Sequence, residues 1–367
     1  MNFIWDTLTV LTEEDKWESH PGLAGIITGV IDSTVIIAGG SNFKDGLPWN
    51  GGIKYYYDDI YLLGTDCKGT IIRWEKSPVK LPASIAYSAS VTVNNRMLCM
   101  GGENVDGVQN SCCSIEREGN GIILGQEPGI PVGVSSPGAA VIGAKVYLAG
   151  GIYEDGFASN RFFLLDLSTE QKEWKEIASL PYPVSHAIVV SQWDGSEECV
   201  FLIGGRNNSG DITEFFSDIW KYSPSGDKWI KAGTIGNDKK SIGLSAGTGL
   251  AFGDNGILIF GGDDGILYNK TEQYNLALKS SENITEKKRI QEFKISHLDN
   301  HPGFNRDIYY YDTVTRELAV VGKIPGKAQV TTQAIWHRGK IVIPMGEIRP
   351  GIRTPVVMSC MVDIEAQ

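Results

Sequence analysis

The chain has 367 residues, of which 42% are hydrophobic and 10% aromatic, and it contains 44 glycines. These numbers allow a sizeable core and favour a protein of strands and turns. The formal net charge of -11 argues against nucleic acid or an anionic membrane as a main partner, so an anionic ligand would need a local cluster of arginines. No stretch approaches the ~20 apolar residues of a membrane span.

The first predicted element is a strand near Asn2–Val10 that carries Trp5. Tryptophan stands in the same context at Trp74, Trp174 and Trp229, where it marks the fourth strand of a unit that repeats along the chain. The N-terminal strand therefore resembles the fourth, outermost strand of this unit.

The repeating unit occurs six times from about residue 24 onwards. Each copy has an apolar strand and tight turn, a second strand that ends in a glycine pair, and a third strand such as "DDIYLL" or "SDIWKYS". The period is close to the ~50 residues of kelch repeats. We assign the pairs to Gly39–Gly40, Gly101–Gly102, Gly150–Gly151, Gly204–Gly205, Gly261–Gly262 and, in the sixth copy, Gly346–Glu347.

Four strands per unit predict six blades around a central channel, an all-β, six-bladed kelch-type β-propeller that forms a single domain over residues 1–367. The sixth copy ends in "TPVVMSCMVDIEAQ", which supplies a third strand but no tryptophan strand. We expect the N-terminal strand to complete this last blade, because that pairing removes an open edge.

Two copies carry long insertions after the glycine pair, at residues 41–58 and 263–306. The first is rich in tyrosine, and the middle of the second is charged, free of proline and compatible with helix. Loops at this position emerge on one face of a propeller, so both insertions should overhang the same channel mouth. A lid over a ligand site is preferred to a solvated decoration, since long loops on rigid scaffolds tend to carry function.

The sixth copy reads "IVIPMGEIRPGIRTP" and places Glu347 where the other copies have their second glycine. Such departures from a local rule are typical of functional sites. The turn at Pro350–Gly351 could bring Arg353 back beside Glu347, and Arg349 lies in the same loop. A surface salt bridge is the alternative interpretation of this pair.

The stretch "GEIRPGIRTP" is similar to the GE-x-x-PG-x-RT motif of the sialic acid mutarotases, or N-acetylneuraminate epimerases, which are bacterial six-bladed kelch propellers. "AGGSNFKDGLPWNGGIKYYYDDIYLL" and "GGDDGILYNKTEQYNL" resemble further parts of that family. The motif lies in the last blade, as in the cyclically permuted branch. The resemblance implies that Glu347 is the proton acceptor and that Arg353 shares the active site.

The implied activity is interconversion of the α- and β-anomers of N-acetylneuraminic acid, a sugar acid, by opening and reclosing its ring. Glu347 would take the proton of the anomeric hydroxyl, and Arg353 could hold the carboxylate in a bidentate fork. This chemistry requires no cofactor and no metal. Further candidate substrate-binding residues precede inner strands (Tyr87 and His186, both candidate proton donors), follow glycine pairs (Glu103 and Arg206) or lie in the motif loop (Arg349).

Three other functions remain open from the sequence. A non-catalytic kelch propeller would bind a protein or carbohydrate ligand through its loops. A copper radical oxidase would need a metal set of tyrosines and histidines, and the chain has only five histidines. A hydrolytic sialidase would need S-x-D-x-G-x-x-W repeats, and none occurs. A homodimer is compatible with any of them.

The cysteines and the N-terminus bear on the cellular compartment. The six cysteines form no CxxC pair; they are Cys67, Cys99, Cys112, Cys113, Cys199 and Cys360. The N-terminus lacks the basic and apolar regions of a signal peptide. We expect reduced thiols and a cytoplasmic location. A periplasmic location is the alternative if an export signal has been removed.

Overall fold

Six four-stranded antiparallel sheets form the blades of a β-propeller. The computed structural model describes residues 1–12, 20–65, 71–119, 121–237 and 240–363, so Cys67 lies outside the described residues. Blades 1 to 5 each take their four strands from one continuous segment of the chain, and blade 6 combines three C-terminal strands with the first strand of the chain. The predicted fold class is confirmed.

The strands of each blade run from the central channel outwards in the following order. Blade 1 comprises Ile27–Ile31, Thr34–Ala38, Ile60–Thr65 and Ile71–Lys76; blade 2 comprises Ala89–Val93, Arg96–Met100, Cys112–Glu118 and Gly121–Gln126; blade 3 comprises Gly138–Ile142, Lys145–Ala149, Phe162–Asp166 and Trp174–Glu176. Blade 4 comprises Ile188–Trp193, Glu198–Ile203, Asp218–Ser223 and Lys228–Thr234; blade 5 comprises Thr248–Phe252, Gly256–Phe260, Asp307–Asp312 and Leu318–Lys323; blade 6 comprises Ile335–His337, Lys340–Pro344, Val356–Asp363 and Asn2–Val10.

Short elements decorate the blades. Five two-stranded hairpins pair Ser41–Asn42 with Tyr55–Tyr56, Glu103–Asn104 with Gly107–Val108, Arg206–Asn207 with Glu214–Phe215, Gly236–Asn237 with Lys240–Ser241, and Glu347–Arg349 with Ile352–Arg353. A 3-10 turn spans Pro48–Asn50, and two α-helices, α1 (Ile266–Ser280) and α2 (Ile284–Asp299), form the second insertion. No helix among the described residues is both long and apolar enough to cross a membrane.

The N-terminal strand closes the ring, as the sequence predicts. Asn2–Val10 pairs antiparallel with Val356–Asp363, and Trp5 lies opposite Cys360. The Trp5 ring also meets Phe260 of blade 5 edge-on, with 6.1 Å between ring centroids. This strand therefore removes the open edge of blade 6 and packs against the neighbouring blade.

The apolar core is divided into six clusters, one between each pair of neighbouring blades. The second strand of a blade is buried on both faces, which explains continuous apolar runs such as Thr34–Ala38 and Gly256–Phe260. Sheet-on-sheet packing of this kind stabilises the ring by burying apolar area between every two blades.

The glycine pairs have a common backbone conformation that corrects the sequence alignment of the sixth copy. In five copies the first glycine has φ between 60° and 65° and the second between 94° and 111°. In the sixth copy these values belong to Met345 (φ 49°) and Gly346 (φ 107°), not to Gly346 and Glu347. The assignment of Glu347 to a glycine position is therefore wrong, and the buried Met345 is the residue that replaces a glycine.

A closed ring of backbone hydrogen bonds surrounds the channel where the inner strands begin. Six residues with φ between 53° and 64°, one per blade, each donate their N–H to the carbonyl of the equivalent residue in the preceding blade, at 2.7–3.2 Å. They are Gly25, Tyr87, Ser136, His186, Ala246 and Thr331. Five are not glycine, and non-glycine residues adopt this conformation mainly where the surrounding structure over-determines it, often at functional sites.

Candidate functional site

The residues that follow the positive-φ pairs lie at one level around the channel mouth. Each forms a backbone bridge with the residue that precedes the hydrogen-bonded ring in its own blade. The six positions are Ser41, Glu103, Ile152, Arg206, Asp263 and Glu347. The structure thus places the predicted Glu103, Arg206 and Glu347 at the same level and adds Asp263 to them.

Glu347 and Arg353 meet across the short hairpin of blade 6. They are paired in register, and Arg353 donates from Nη1 to Glu347 Oε1 at 3.0 Å. The backbone N–H of Gly351 donates to the same oxygen at 2.7 Å. The Arg353 side chain is 3% exposed and that of Glu347 is 18% exposed. The pair is therefore a largely buried one, unlike a surface salt bridge.

The guanidinium of Arg353 is enclosed by the first insertion and the inner ring. Its centre lies 4.7 Å from the centroid of the Phe43 ring, and Nη2 is 3.4 Å from the hydroxyl of Tyr87. Its Nε is buried and has no hydrogen-bond partner among the described residues. Tyr87, which lines the channel, thus connects the Glu347–Arg353 pair to the cavity inside the ring.

A second charged cluster also contacts Tyr87. Lys54 forms an ion pair with Glu103 at 3.0 Å and lies 5.0 Å from the centroid of the Tyr87 ring. Glu103 also accepts hydrogen bonds from Tyr56 and Ser135, both at 2.9 Å. Burial alone would raise the pKa of Glu103, but the charge and hydrogen bond of Lys54 outweigh burial and lower it. Glu103 is therefore an ionised partner of Lys54.

Arg206 and His186 form a different pair in blade 4. Arg206 Nη2 lies 3.2 Å from His186 Nε2, and His186 Nδ1 lies 3.1 Å from the hydroxyl of Ser185. A guanidinium can only donate, so Nε2 accepts and the ring proton is assigned to Nδ1. Burial, with the positive charges of Arg206 and Lys54, lowers the pKa of His186 well below its usual value. His186 is therefore neutral at pH 7.

Within the part of the chain that the structure describes, no carboxylate lies within ion-pair distance of Arg206. Its guanidinium lies over the ring of Tyr268 in α1, 4.8 Å from the centroid. In this respect Arg206 differs from Arg353, whose charge is offset by Glu347. Arg206 is thus a cation at the channel mouth that remains available to an anionic ligand.

Arg349 does not join this group. Its Nη1 donates to the carbonyl of Asp299 at the end of α2 at 3.1 Å, and Trp49 of the first insertion donates to the Asp299 carboxylate at 2.9 Å. Arg349 thus links the motif loop to the helical insertion. This contact directs the Arg349 side chain to α2, and substrate binding by Arg349 stays a prediction. The hydrogen bond between Trp49 and Asp299 also joins the first insertion to the helical insertion at this mouth of the channel.

Several residues of the site were not selected from the sequence. Lys54, Tyr56 and Phe43 lie in the first insertion, whose richness in tyrosine was the only available signal. Asp263 follows Gly261–Gly262, and the rule that selected Glu103 and Arg206 would have found it. Among the described residues, no group of three or more His, Cys, Asp or Glu side chains is placed to hold a metal ion.

A family model described as N-acetylneuraminate epimerase matches residues 127–367. The chain belongs to the N-acetylneuraminate epimerase family. The resemblance inferred from "GEIRPGIRTP" is thereby confirmed. The N-acetylneuraminate epimerase of Haemophilus influenzae (strain 86-028NP) is 28% identical over 232 residues, which is 62% of this chain and 57% of that protein.

A further relative agrees with the family assignment, and a solved structure shares the fold. The N-acetylneuraminate epimerase of Salmonella enteritidis PT4 (strain P125109) is 27% identical over 212 residues, covering 57% of this chain and 52% of that protein. The matches to these N-acetylneuraminate epimerases thus span little more than half of their length. The solved structure of YjhT has a TM-score of 0.65 and 16% identity, covering 94% of this chain and 96% of that chain. This likeness shows the shared fold.

Proposed function

We propose that the protein is a mutarotase that interconverts the α- and β-anomers of N-acetylneuraminic acid. The observation that carries the proposal is the largely buried Glu347–Arg353 pair at the mouth of the channel. It lies within the segment that matches the N-acetylneuraminate epimerase family. The curated relatives bear that activity in their names, which supports the same substrate class here.

Glu347 acts as the base in this proposal. Oε1 is held by Arg353 and by the N–H of Gly351, and no hydrogen bond from the described residues reaches Oε2. A carboxylate fixed through one oxygen can direct the other to the anomeric hydroxyl of a bound sugar. Removal of that proton assists cleavage of the ring C–O bond and gives the open-chain 2-keto acid. A positioned group of this kind contributes about 10²–10⁴-fold to a rate.

The substrate carboxylate binds Arg206 in this proposal, with Arg353 as a positioning residue. Arg353 already donates to Glu347 and is almost inaccessible, which favours Arg206 over Arg353 as the partner of the substrate carboxylate. Arg206 lies at the same level and lacks a carboxylate partner among the described residues. Placing the cation and the base in different blades would hold the sugar across the mouth of the channel.

His186 is not the proton donor in this scheme. Its Nε2 accepts from Arg206 and its Nδ1 faces Ser185, so no ring proton is directed to a ligand. Its role is to orient Arg206. Tyr87 remains a substrate-binding candidate, since its hydroxyl lies between Arg353 and Ser41, 3.4 Å from each, at the top of the channel.

Proton NMR of α-N-acetylneuraminic acid, freshly released by a retaining sialidase, tests this function. The protein should accelerate the decay of the α-anomer signal above the spontaneous rate. If the protein binds the sugar acid without accelerating its decay, it is a carbohydrate-binding propeller and the mutarotase proposal fails.

Four further features of the protein remain predictions. Free thiols at Cys99, Cys112, Cys113, Cys199 and Cys360 are compatible with the proposed cytoplasmic location. Fractionation of the source cells would decide between cytoplasm and periplasm. The single-domain boundary over residues 1–367, the cyclic permutation and a homodimer are likewise proposals. A single cooperative unfolding transition would support the single domain. A blade-by-blade alignment with relatives would test the permutation, and sedimentation would test the homodimer.

A further inference from the structure

We propose that Asp263 is the general acid that protonates the ring oxygen as the sugar ring opens. This role rests on the function proposed above and adds to it the partner that Glu347 needs. Asp263 follows the glycine pair of blade 5, and Glu347 occupies the equivalent position in blade 6. The two carboxyl groups thus come from neighbouring blades, at the same level of the channel mouth.

The two carboxyl groups have opposite surroundings. Glu347 has a cation and a backbone N–H on one oxygen. Asp263 accepts one hydrogen bond, from the N–H of Gly265 to Oδ1 at 2.9 Å, and no cation of the described residues lies within ion-pair distance. No hydrogen bond among the described residues reaches Oδ2, and Oδ2 does not belong to the fully buried polar atoms that lack a partner. Oδ2 is therefore at least partly exposed.

The surroundings of Asp263 raise its pKa above the usual value for an aspartate. Burial raises its pKa, and the negative charges of Asp264 and Glu347 act in the same direction. The N–H of Gly265 and the positive charge of Arg206 oppose the shift without cancelling it. Two carboxyl groups in different surroundings are the usual arrangement for an acid and a base in one site.

The proton transfers balance over one turnover. Glu347 takes the proton of the anomeric hydroxyl, that oxygen becomes the keto oxygen, the ring C–O bond breaks, and Asp263 gives its proton to the former ring oxygen. After rotation about the bond from the keto carbon to its ring neighbour, the hydroxyl attacks the other face of the carbonyl. Asp263 then recovers its proton from that hydroxyl, and Glu347 returns its proton to the carbonyl oxygen. No other reactant is needed.

The other acidic residue at this level of the mouth is less suited to the role. Glu103 is ion-paired with Lys54 and accepts from Tyr56 and Ser135, so it carries no proton to donate. Its pKa is lowered, in contrast to that of Asp263. Asp264, the neighbour of Asp263, is exposed and accepts from the N–H of Ile266 at the start of α1.

The test compares Asp263→Asn with Asp264→Asn, using the NMR decay of α-N-acetylneuraminic acid between pH 5 and 9. Asp263→Asn retains an oxygen for the N–H of Gly265 but cannot give a proton. We expect its catalysed rate to fall about 100-fold or more. If the protonated form of Asp263 is needed, the wild-type rate falls as pH rises through its raised pKa, and this decline should be absent in Asp263→Asn. Asp264→Asn should stay within about threefold of wild type.

A second readout separates the acid from a merely structural residue. Because the ionised form is disfavoured in the folded protein, Asp263 weakens stability as pH rises through its raised pKa. Asp263→Asn should therefore raise the Tm at pH 8, whereas loss of a structural group would lower it. A wild-type rate and pH profile in Asp263→Asn, or a lowered Tm together with an unchanged profile, would overturn this role alone. Absence of acceleration by the wild-type protein would overturn the proposed function and this role with it.

Discussion

Arg353 lies directly opposite Glu347 in the hairpin of blade 6 and donates a hydrogen bond to it at 3.0 Å, with only 3% of its side chain exposed. Residues paired in register on an antiparallel hairpin project their side chains to the same face. The turn at Pro350–Gly351 therefore sets the geometry of the pair, and the N–H of Gly351 contributes a further contact to Glu347.

Substitution of Arg353 should affect stability and rate together. Arg353→Ala leaves Glu347 without its cation, and loss of one partner from a buried pair costs about 3–5 kcal/mol. Arg353→Lys keeps the charge but loses the planar contact with Phe43. We therefore expect this variant to fold but to catalyse the reaction more slowly than wild type. Denaturant unfolding and the NMR assay would measure both effects. An Arg353→Ala protein as stable and as active as wild type would contradict the importance of this contact.

Arg206 should control substrate binding more than turnover. Charge-assisted hydrogen bonds are worth about 1.5–3 kcal/mol, so Arg206→Ala should raise KM roughly 10- to 150-fold. The effect should be much smaller for a sugar that lacks a carboxylate. Arg289→Ala is the matched control, because Arg289 lies over Phe293 on α2. Equal losses with acidic and neutral sugars would argue that Arg206 has a structural role.

The buried His186 predicts a specific pH dependence of stability. Its pKa is lowered in the folded protein, so the folded state binds fewer protons than the unfolded state near the usual His pKa of about 6.5. The stability associated with neutral His186 is present above that pH and is lost as pH falls below it. Between pH 7.5 and 5.5, the Tm of wild type should therefore drop more than that of His186→Gln. Parallel declines in the two proteins would show that His186 does not titrate in this way.

Deletion of residues 1–10 should weaken the whole ring. The deletion removes the strand that pairs with Val356–Asp363 and exposes that strand as a new edge. It also removes the contact of Trp5 with Phe260 in blade 5. We expect a lower Tm and a greater tendency to aggregate, measured by calorimetry and light scattering. An unchanged Tm would mean that ring closure contributes little.

The repeat architecture was predictable because glycine pairs and strand patterns recur in sequence. The closure by Asn2–Val10 followed from counting strands, and pairing with Val356–Asp363 confirms it. The alignment of the sixth copy was not predictable, because it depends on a buried methionine with positive φ. Sequence rules reserve that conformation for glycine, and Met345 departs from them within a packed core.

The pairing of Glu347 with Arg353 was likewise predictable from the turn between them. The different contacts of Arg349 and Arg206 could not be predicted from the sequence. Both are arginines at the channel mouth, but Arg349 meets Asp299 from an insertion distant in sequence. Arg206 has no carboxylate within ion-pair distance among the described residues, whereas Glu103 pairs with Lys54 of the first insertion. These contacts depend on which side chains meet in the folded chain. The spacing of residues along the sequence does not determine that.

The most direct test of the account compares wild type with Glu347→Gln in the decay of α-N-acetylneuraminic acid. The substituted side-chain amide would keep an oxygen for Arg353 and Gly351 but could not accept the anomeric proton. We predict that wild type accelerates the decay and that Glu347→Gln loses about 10²–10⁴-fold of that acceleration while its far-UV spectrum and substrate binding persist. Full acceleration by a folded Glu347→Gln protein would contradict the central claim.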